Sequence, residues 1–324
     1  MNALLASLAL FSMGPLDPSD YVAQSTIVTA GNPFNALYAT PRGVGYDATV
    51  ALIITKPTGS FICSGSLVGY GRTVVTAAHC LVGATSVNTF IFPPAGGTTI
   101  LTSTQYVIHG GYTGAVVDEN DIALLTLPKY VTDVTPYGFY EPDALGEVAN
   151  IVGFGASGSG LTGAVLAAGT RRQAWNRFDF YADDPTLGGL FGNEHVLMAD
   201  FDSGNAAQDA TCRLYGFFGG GGPCGLGQGA LEGLTAGGDS GGSLLVGGRL
   251  AAVTSFGLTF SRGIVGDIDG VLNSSFGEFA GFVPIALHRD WLAQYITPEP
   301  ATILLMATGL LALALMRRRR LAEN

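Results

Sequence analysis

Short apolar runs of four to seven residues, bounded by Gly, Pro, Thr or Asn, set the rhythm of this chain. They fall at residues 48–54, 74–77 and 122–127 in the first half, and at 148–154, 242–246, 250–256 and 281–286 in the second. Runs of that length with turn residues at both ends predict β-strands. Glycine clusters at 188–189, 219–222 and 247–248 predict turns or loops. Two stretches alone predict helix, residues 287–296 and the apolar segment 301–316. No fixed-period repeat occurs. Many short strands separated by turn signals predict an all-β barrel or sandwich.

Composition narrows this picture. A chain of 324 residues has room for one core of ~200–250 residues plus appendages. Hydrophobic residues make up 48% and charged residues 12%, the reverse of a disordered chain. The 48 glycines show no Gly-X-Y period, which excludes collagen. Net charge is −10, and four of the 15 basic residues are Arg317–Arg320. The rest of the chain is therefore still more acidic, and nucleic acid is excluded as a partner because phosphate binding needs a basic face.

The C-terminus carries three features in order: Thr297-Pro298-Glu299-Pro300, the apolar run 301–316, and the four arginines. A 16-residue helix spans about 24 Å, short of a ~30 Å hydrocarbon core but workable with snorkelling arginines. The arginines favour the cytoplasmic side and place everything upstream across the membrane. A buried helix or a plain tail anchor are the simpler readings. The three features together resemble the PEP-CTERM sorting signal of Gram-negative bacteria. That resemblance implies an exosortase-type processing enzyme in the inner membrane as a partner. It also implies a chain anchored by its tail until processing, and located afterwards in the envelope or outside the cell. Residues 3–13 are apolar enough for a signal-peptide core, although no lysine or arginine precedes them. Cys63, Cys80, Cys212 and Cys224, an even count in two close pairs, read as two disulfides in an exported protein. No C-x2-C pair supports a zinc site.

Three segments carry the chemistry: Val74-Val75-Thr76-Ala77-Ala78-His79-Cys80, Asn120-Asp121-Ile122-Ala123-Leu124-Leu125, and Gly237-Gly238-Asp239-Ser240-Gly241-Gly242-Ser243. Each alone reads as an ordinary strand end or turn. Together they supply a nucleophile, a base and an orienting carboxylate. A serine hydroxyl needs an adjacent base to attack at neutral pH. His79 has the pKa range to take that proton and return it to the leaving group. Asp121 fixes the imidazole tautomer and steadies the imidazolium. The N–H groups of Gly238 and Ser240 are the candidates for an oxyanion hole.

These segments resemble the signature blocks of trypsin/chymotrypsin-like serine proteases. Gly153-Phe154-Gly155, Ser255-Phe256-Gly257, Cys63-Ser64-Gly65-Ser66-Leu67 and His109-Gly110-Gly111-Tyr112 follow the family pattern in order, and Trp291 lies in the expected terminal helix. The resemblance implies two antiparallel six-stranded β-barrels with the site between them, a short C-terminal helix, and a separate hydrophobic tail helix. It implies a Cys63–Cys80 bridge under the site, leaving Cys212 with Cys224. It also implies a polypeptide substrate cleaved through an acyl-enzyme, with no cofactor and no metal. The expected organisation is an export signal and pro-like segment over 1–42, the protease domain over 43–296, and the sorting segment over 297–324. The competing class is a catalytically silent, protease-like surface binding protein.

Departures from the pattern matter. No Ile-Val-Gly-Gly activation segment occurs, and Ile27-Val28-Thr29-Ala30 and Arg42-Gly43-Val44-Gly45 only approximate one. In the family a freed N-terminus pairs with the aspartate before the nucleophile, here Asp239. The 119 positions between Asp121 and Ser240 imply a glycine-rich insertion within 156–235. Ser243 stands where the family usually has proline. Counting six back from Ser240 puts Leu234 at the floor of the specificity pocket, with Ser255, Phe256 and Gly257 as a wall. Neutral side chains are then expected before the cleaved bond, unless a two-residue slip brings in Glu232. His195 and His288 read as structural or exposed. Asp200 and Asp202 read as a turn, with paired-carboxylate Ca²⁺ binding the lesser reading.

Overall fold

The structure is a computed structural model and describes residues 27–260 and 266–296. The segment 3–13 and the tail helix expected over 301–316 lie outside the described residues. Among the described residues no helix is long and apolar enough to cross a membrane.

Two curled, antiparallel, seven-stranded sheets dominate residues 27–287. The first runs in the order Thr99–Ser103, Ser86–Ile91, Thr49–Lys56, Gly59–Val68, Thr73–Thr76, Ala123–Thr126, Tyr106–Ile108. The second runs Arg172–Arg177, Val148–Gly153, Ser243–Val246, Arg249–Leu258, Phe279–Pro284, Leu197–Asp200, Phe180–Tyr181. Each has one strand more than the six expected, and the short edge strands Tyr106–Ile108 and Phe180–Tyr181 make up the difference.

The sequence pattern explains the strands. Ser86–Ile91 alternates burial residue by residue, as a half-exposed strand does. Leu197–Asp200 is buried at all four positions, because it lies between two strands and under the loops that follow it. A third sheet of four short strands was not foreseen. It brings Val28–Thr29 between Ser157–Ser159 and Gly233–Leu234, with Val28 opposite Leu234. Ile27, Val28 and Tyr38 are buried, so residues 27–42 pack as part of the folded body.

The core of the second half is aromatic. Phe178 and Phe282 meet edge to face in one cluster, and Phe180, Tyr215 and Phe279 do so in a neighbouring one. Truncating a fully buried phenylalanine such as Phe282 costs about 3–5 kcal/mol. The inserted helix Ala210–Phe217 joins the second cluster through Leu214 and Tyr215. Asp209 caps it by accepting from the Cys212 N–H at 2.8 Å, and disulfide Cys212–Cys224 ties its first turn to the glycine-rich loop. The short helix Arg289–Tyr295 begins a separate unit and carries Trp291 packed edge-on against Tyr295.

Candidate active site

His79 lies in the one-turn helix Ala78–Leu81, directly after the strand Thr73–Thr76. That strand pairs with Ala123–Thr126, with Thr76 opposite Ala123, so Asp121 arrives beside His79 by register alone. The Asp121 carboxylate takes three donors. The His79 N–H donates to Oδ1 at 2.9 Å, His79 Nδ1–H to Oδ2 at 2.7 Å, and the Ser255 hydroxyl to Oδ2 at 2.6 Å. The imidazole is 36% exposed, whereas the Asp121 side chain is almost completely buried.

Electrostatics follow from this packing. Burial disfavours the imidazolium of His79, but the Asp121 charge and hydrogen bond outweigh it and lift the pKa above its ordinary value. Burial likewise pushes Asp121 up. The His79 charge, with hydrogen bonds from His79 and Ser255, brings it below the usual carboxylate range.

The segment holding Ser240 belongs to the second half and is fastened to the first. Ser64 N–H donates to the Ser240 carbonyl at 2.9 Å, and the Ser64 hydroxyl donates to the Gly238 carbonyl at 2.9 Å. The same hydroxyl accepts from Phe154 N–H at 3.0 Å. The Cys63–Cys80 disulfide lies beneath, with the Cys80 sulfur 3.7 Å from the Ser240 carbonyl oxygen. Gly238 holds φ +107°, a conformation open to glycine and strained for other residues. The structure therefore gathers His79, Asp121, Ser255 and the Gly238–Ser240 segment at one junction of the two sheets.

A family model described as Trypsin matches residues 39–227, more than half of the sequence. The chain belongs to the trypsin family. A PEP-CTERM protein-sorting motif matches residues 297–320. No curated protein matches the chain. Solved structures with the same fold include HL collagenase, at 18% identity and a TM-score of 0.54, covering 86% of this chain and all of that one. Neuropsin, a serine protease expressed in the limbic system of mouse brain, is also 18% identical at a TM-score of 0.54. That match covers 80% of this chain and 97% of its own. The trypsin match ends inside the glycine-rich stretch before Ser240.

Other residues expected from the family pattern are placed less simply. Asp239 is buried and accepts from Gly155 N–H at 2.9 Å and Ala236 N–H at 3.3 Å. Burial lifts its pKa to about 7 against those bonds and the Arg172 charge. Gly153 makes room for it, since a Cβ there would lie 2.0 Å from Asp239 Oδ1. Leu234, expected at the pocket floor, is fully enclosed among Val28, Ala174 and Ala236 and presents no surface to a substrate. Phe256 is 6% exposed, with its ring over Gly281. Ser255 was expected only as pocket wall, and its bond to Asp121 was not foreseen. His195 stacks on Tyr181 and bonds Asp183 at 3.0 Å, a structural arrangement.

Four groups of residues bring potential metal ligands together among the described residues. Two of them count cysteines, which are spent in the disulfides Cys63–Cys80 and Cys212–Cys224. The third, Asp267, Asp269 and Glu278, sits in a loop where Glu278 accepts N–H bonds from Asn273, Ser274 and Ser275. The fourth is Asp200, Asp202 and Asp209.

Proposed function

We propose that this trypsin-family protein is an exported serine endopeptidase in which Ser240 is the nucleophile, His79 the general base and Asp121 its orienting partner. The observation that carries this reading is the Ser255–Asp121–His79 hydrogen-bond chain beside the segment that holds Ser240. Asp121 occupies Nδ1–H, which leaves Nε2 as the basic nitrogen. Nε2 takes the Ser240 proton as Oγ bonds to the peptide carbonyl carbon. The oxyanion forms against the N–H groups of Gly238 and Ser240. The C–N bond then breaks as His79 protonates the leaving amine. Water repeats the sequence on the acyl-enzyme and restores Ser240. An active-site phosphonate is expected to label Ser240 in correctly processed protein. Absence of labelling there would favour the silent binding protein. Ser240→Ala and His79→Ala should each abolish most hydrolysis, with the double variant little worse.

The PEP-CTERM motif suggests export and tail processing by an exosortase-type enzyme. In a host containing that enzyme, intact mass should show a mature chain ending near Pro300. A mature form retaining Arg317–Arg320 would instead make the tail a plain anchor. Neutral side chains are the expected preference before the cleaved bond. The Glu232 carboxylate accepts from Gln228 N–H, lies beside Asp202 and is 0% exposed, so it presents no surface to a substrate. Burying a substrate Arg or Lys without a counter-charge costs several kcal/mol. Dominant cleavage of a peptide library after Arg or Lys would refute this preference.

A further inference from the structure

Five acidic residues meet at the root of the inserted loop. Asp200 ends the strand Leu197–Asp200, Asp202 follows it, and Asp209 caps the inserted helix. One oxygen each of Asp200, Asp202 and Asp209 lie within 4.8 Å of one another. Two oxygens on one calcium ion at ~2.4 Å stand at most about 4.8 Å apart, so this spacing suits a shared ion. Asp179 joins through its Oδ2, which accepts from Asp200 N–H at 3.4 Å. Glu232 comes from the far end of the insertion. A Cβ at Gly227 would lie 2.6 Å from Asp202 Cβ and 2.8 Å from Glu232 Oε2, so the two side chains converge there.

The cluster lacks what buried charges need. Glu232 is 0% exposed and Asp202 7% exposed, yet Glu232 Oε1 and Asp202 Oδ1 have no hydrogen-bond partner. Among the described residues no lysine or arginine pairs with any of the five. Burial and mutual repulsion push Asp202 to about 8 and Asp200 to about 6, and raise Asp179 and Glu232 as well. Natural interiors rarely leave such oxygens orphaned without an ion or ordered water.

We propose that Asp200, Asp202 and Asp209, joined by the Glu232 carboxylate beside Asp202 and supported by Asp179, form a Ca²⁺ site that clamps the insertion 203–232 to the second sheet. The donor set is all carboxylate, with no imidazole or thiolate, which selects a hard cation. Calcium fits better than magnesium, because Mg²⁺ retains several waters and demands octahedral geometry. Asp179 also lines a surface cleft with Asp183, Asp184, Tyr215 and Pro223, which places one supporting carboxylate at an acidic surface that attracts cations. The clamp spans the chain just before Gly233–Leu234 and the Gly237–Ser240 segment, so it steadies the lead-in to the nucleophile without touching substrate. It does not depend on which residues do the chemistry.

The test uses the full chain in mild detergent with Ser240→Ala, so that self-digestion does not enter. After chelation, CaCl₂ is titrated while Tm is followed. A saturable rise of about 5–10 °C is expected at calcium a hundredfold above Kd. Asp202→Asn and Glu232→Gln should each remove the rise, with a calcium-free Tm no lower than that of the parent. Asp269→Asn, in the other acidic loop, should keep it. Terbium, competed by calcium, provides a readout that needs no acidic variant. Emission sensitised by the aromatic residues nearby, Tyr215 among them, should saturate and be displaced by calcium. No rise in the parent, a rise surviving Asp202→Asn, loss with Asp269→Asn, or terbium emission that calcium does not displace would each overturn the site.

Discussion

Asp121 and the Asp200–Asp202–Glu232 cluster are equally deep and electrostatically opposite. Asp121 is 3% exposed and held below the ordinary carboxylate range, while Asp202 is 7% exposed and pushed up to about 8. Depth therefore does not decide the charge state. Asp121 receives three N–H and O–H donors and faces an imidazole. Asp202 faces other carboxylates and leaves an oxygen orphaned. A buried carboxylate stays ionised where donors are supplied, and waits for a proton or a cation where they are not.

The largest effect expected from breaking this contrast is at Asp121. Asp121→Asn keeps the shape but removes the charge and sets an NH2 donor against His79 Nδ1, which favours the wrong tautomer, and kcat should fall by about 10⁴-fold. The acid limb of the pH–rate profile should also move down, because the partner that raises the His79 pKa is gone. An unchanged limb would detach Asp121 from the base.

On the other side, replacing Cys212 and Cys224 by serine opens a loop of 12 positions. The expected loss is about 3 kcal/mol in the chain-entropy model. Thermal unfolding should show it as a Tm lower by roughly 6–12 °C. Hydrolysis at 25 °C should stay near its starting rate, since this bridge is remote from His79 in the hydrogen-bond network.

Ser255→Ala tests the shared donor more finely. A hydrogen bond to a charged group contributes ~1.5–3 kcal/mol, of which only the part that differs in the transition state affects rate. About a tenfold fall in kcat/KM is expected, with Ser255→Thr recovering much of it. Equal loss in both variants would make the residue a packing element only.

The smallest effect is a slope. Asp200, Asp202, Asp239 and Glu278 have folded pKa values of about 6, 8, 7 and 7, above ordinary values of 3.8 to 4.5. The native state then holds protons that the unfolded chain has lost. Their stabilisation is complete below the unfolded pKa values and disappears as pH rises through 6 to 8. His79, also raised, acts in the same direction. Asp121, being lowered, loses its contribution only at the acid end. Calcium-free protein should therefore show Tm falling from pH 5 to 8, and Asp202→Asn should flatten that fall. A rising Tm across the window would contradict the assignment.

The contrast also explains what was legible in the sequence. His79, Asp121 and Ser240 sit on short turns beside apolar strands, so their local motifs survive in linear form. The Ser255 hydroxyl is 134 positions from Asp121 and meets it only where the two sheets adjoin. The acid cluster was half visible as Asp200 and Asp202. Asp179 and Glu232 join from distant stretches, one through the pairing of Phe180 with Met198 and the other through the turn at Gly227. Leu234 shows the limit of counting. Six positions before the nucleophile is a distance along the chain, and here the pairing with Val28 turns that side chain into the core.

The Ser64 latch has a consequence in time. Ser64, His79 and Asp121 are made early, whereas Gly238 and Ser240 follow more than a hundred residues later and settle on Ser64. A ribosome part-way through this message has produced His79 and Asp121 but not Ser240. The assembled junction of His79, Asp121 and the Gly238–Ser240 segment therefore exists only after the later segment has been made and has settled on Ser64.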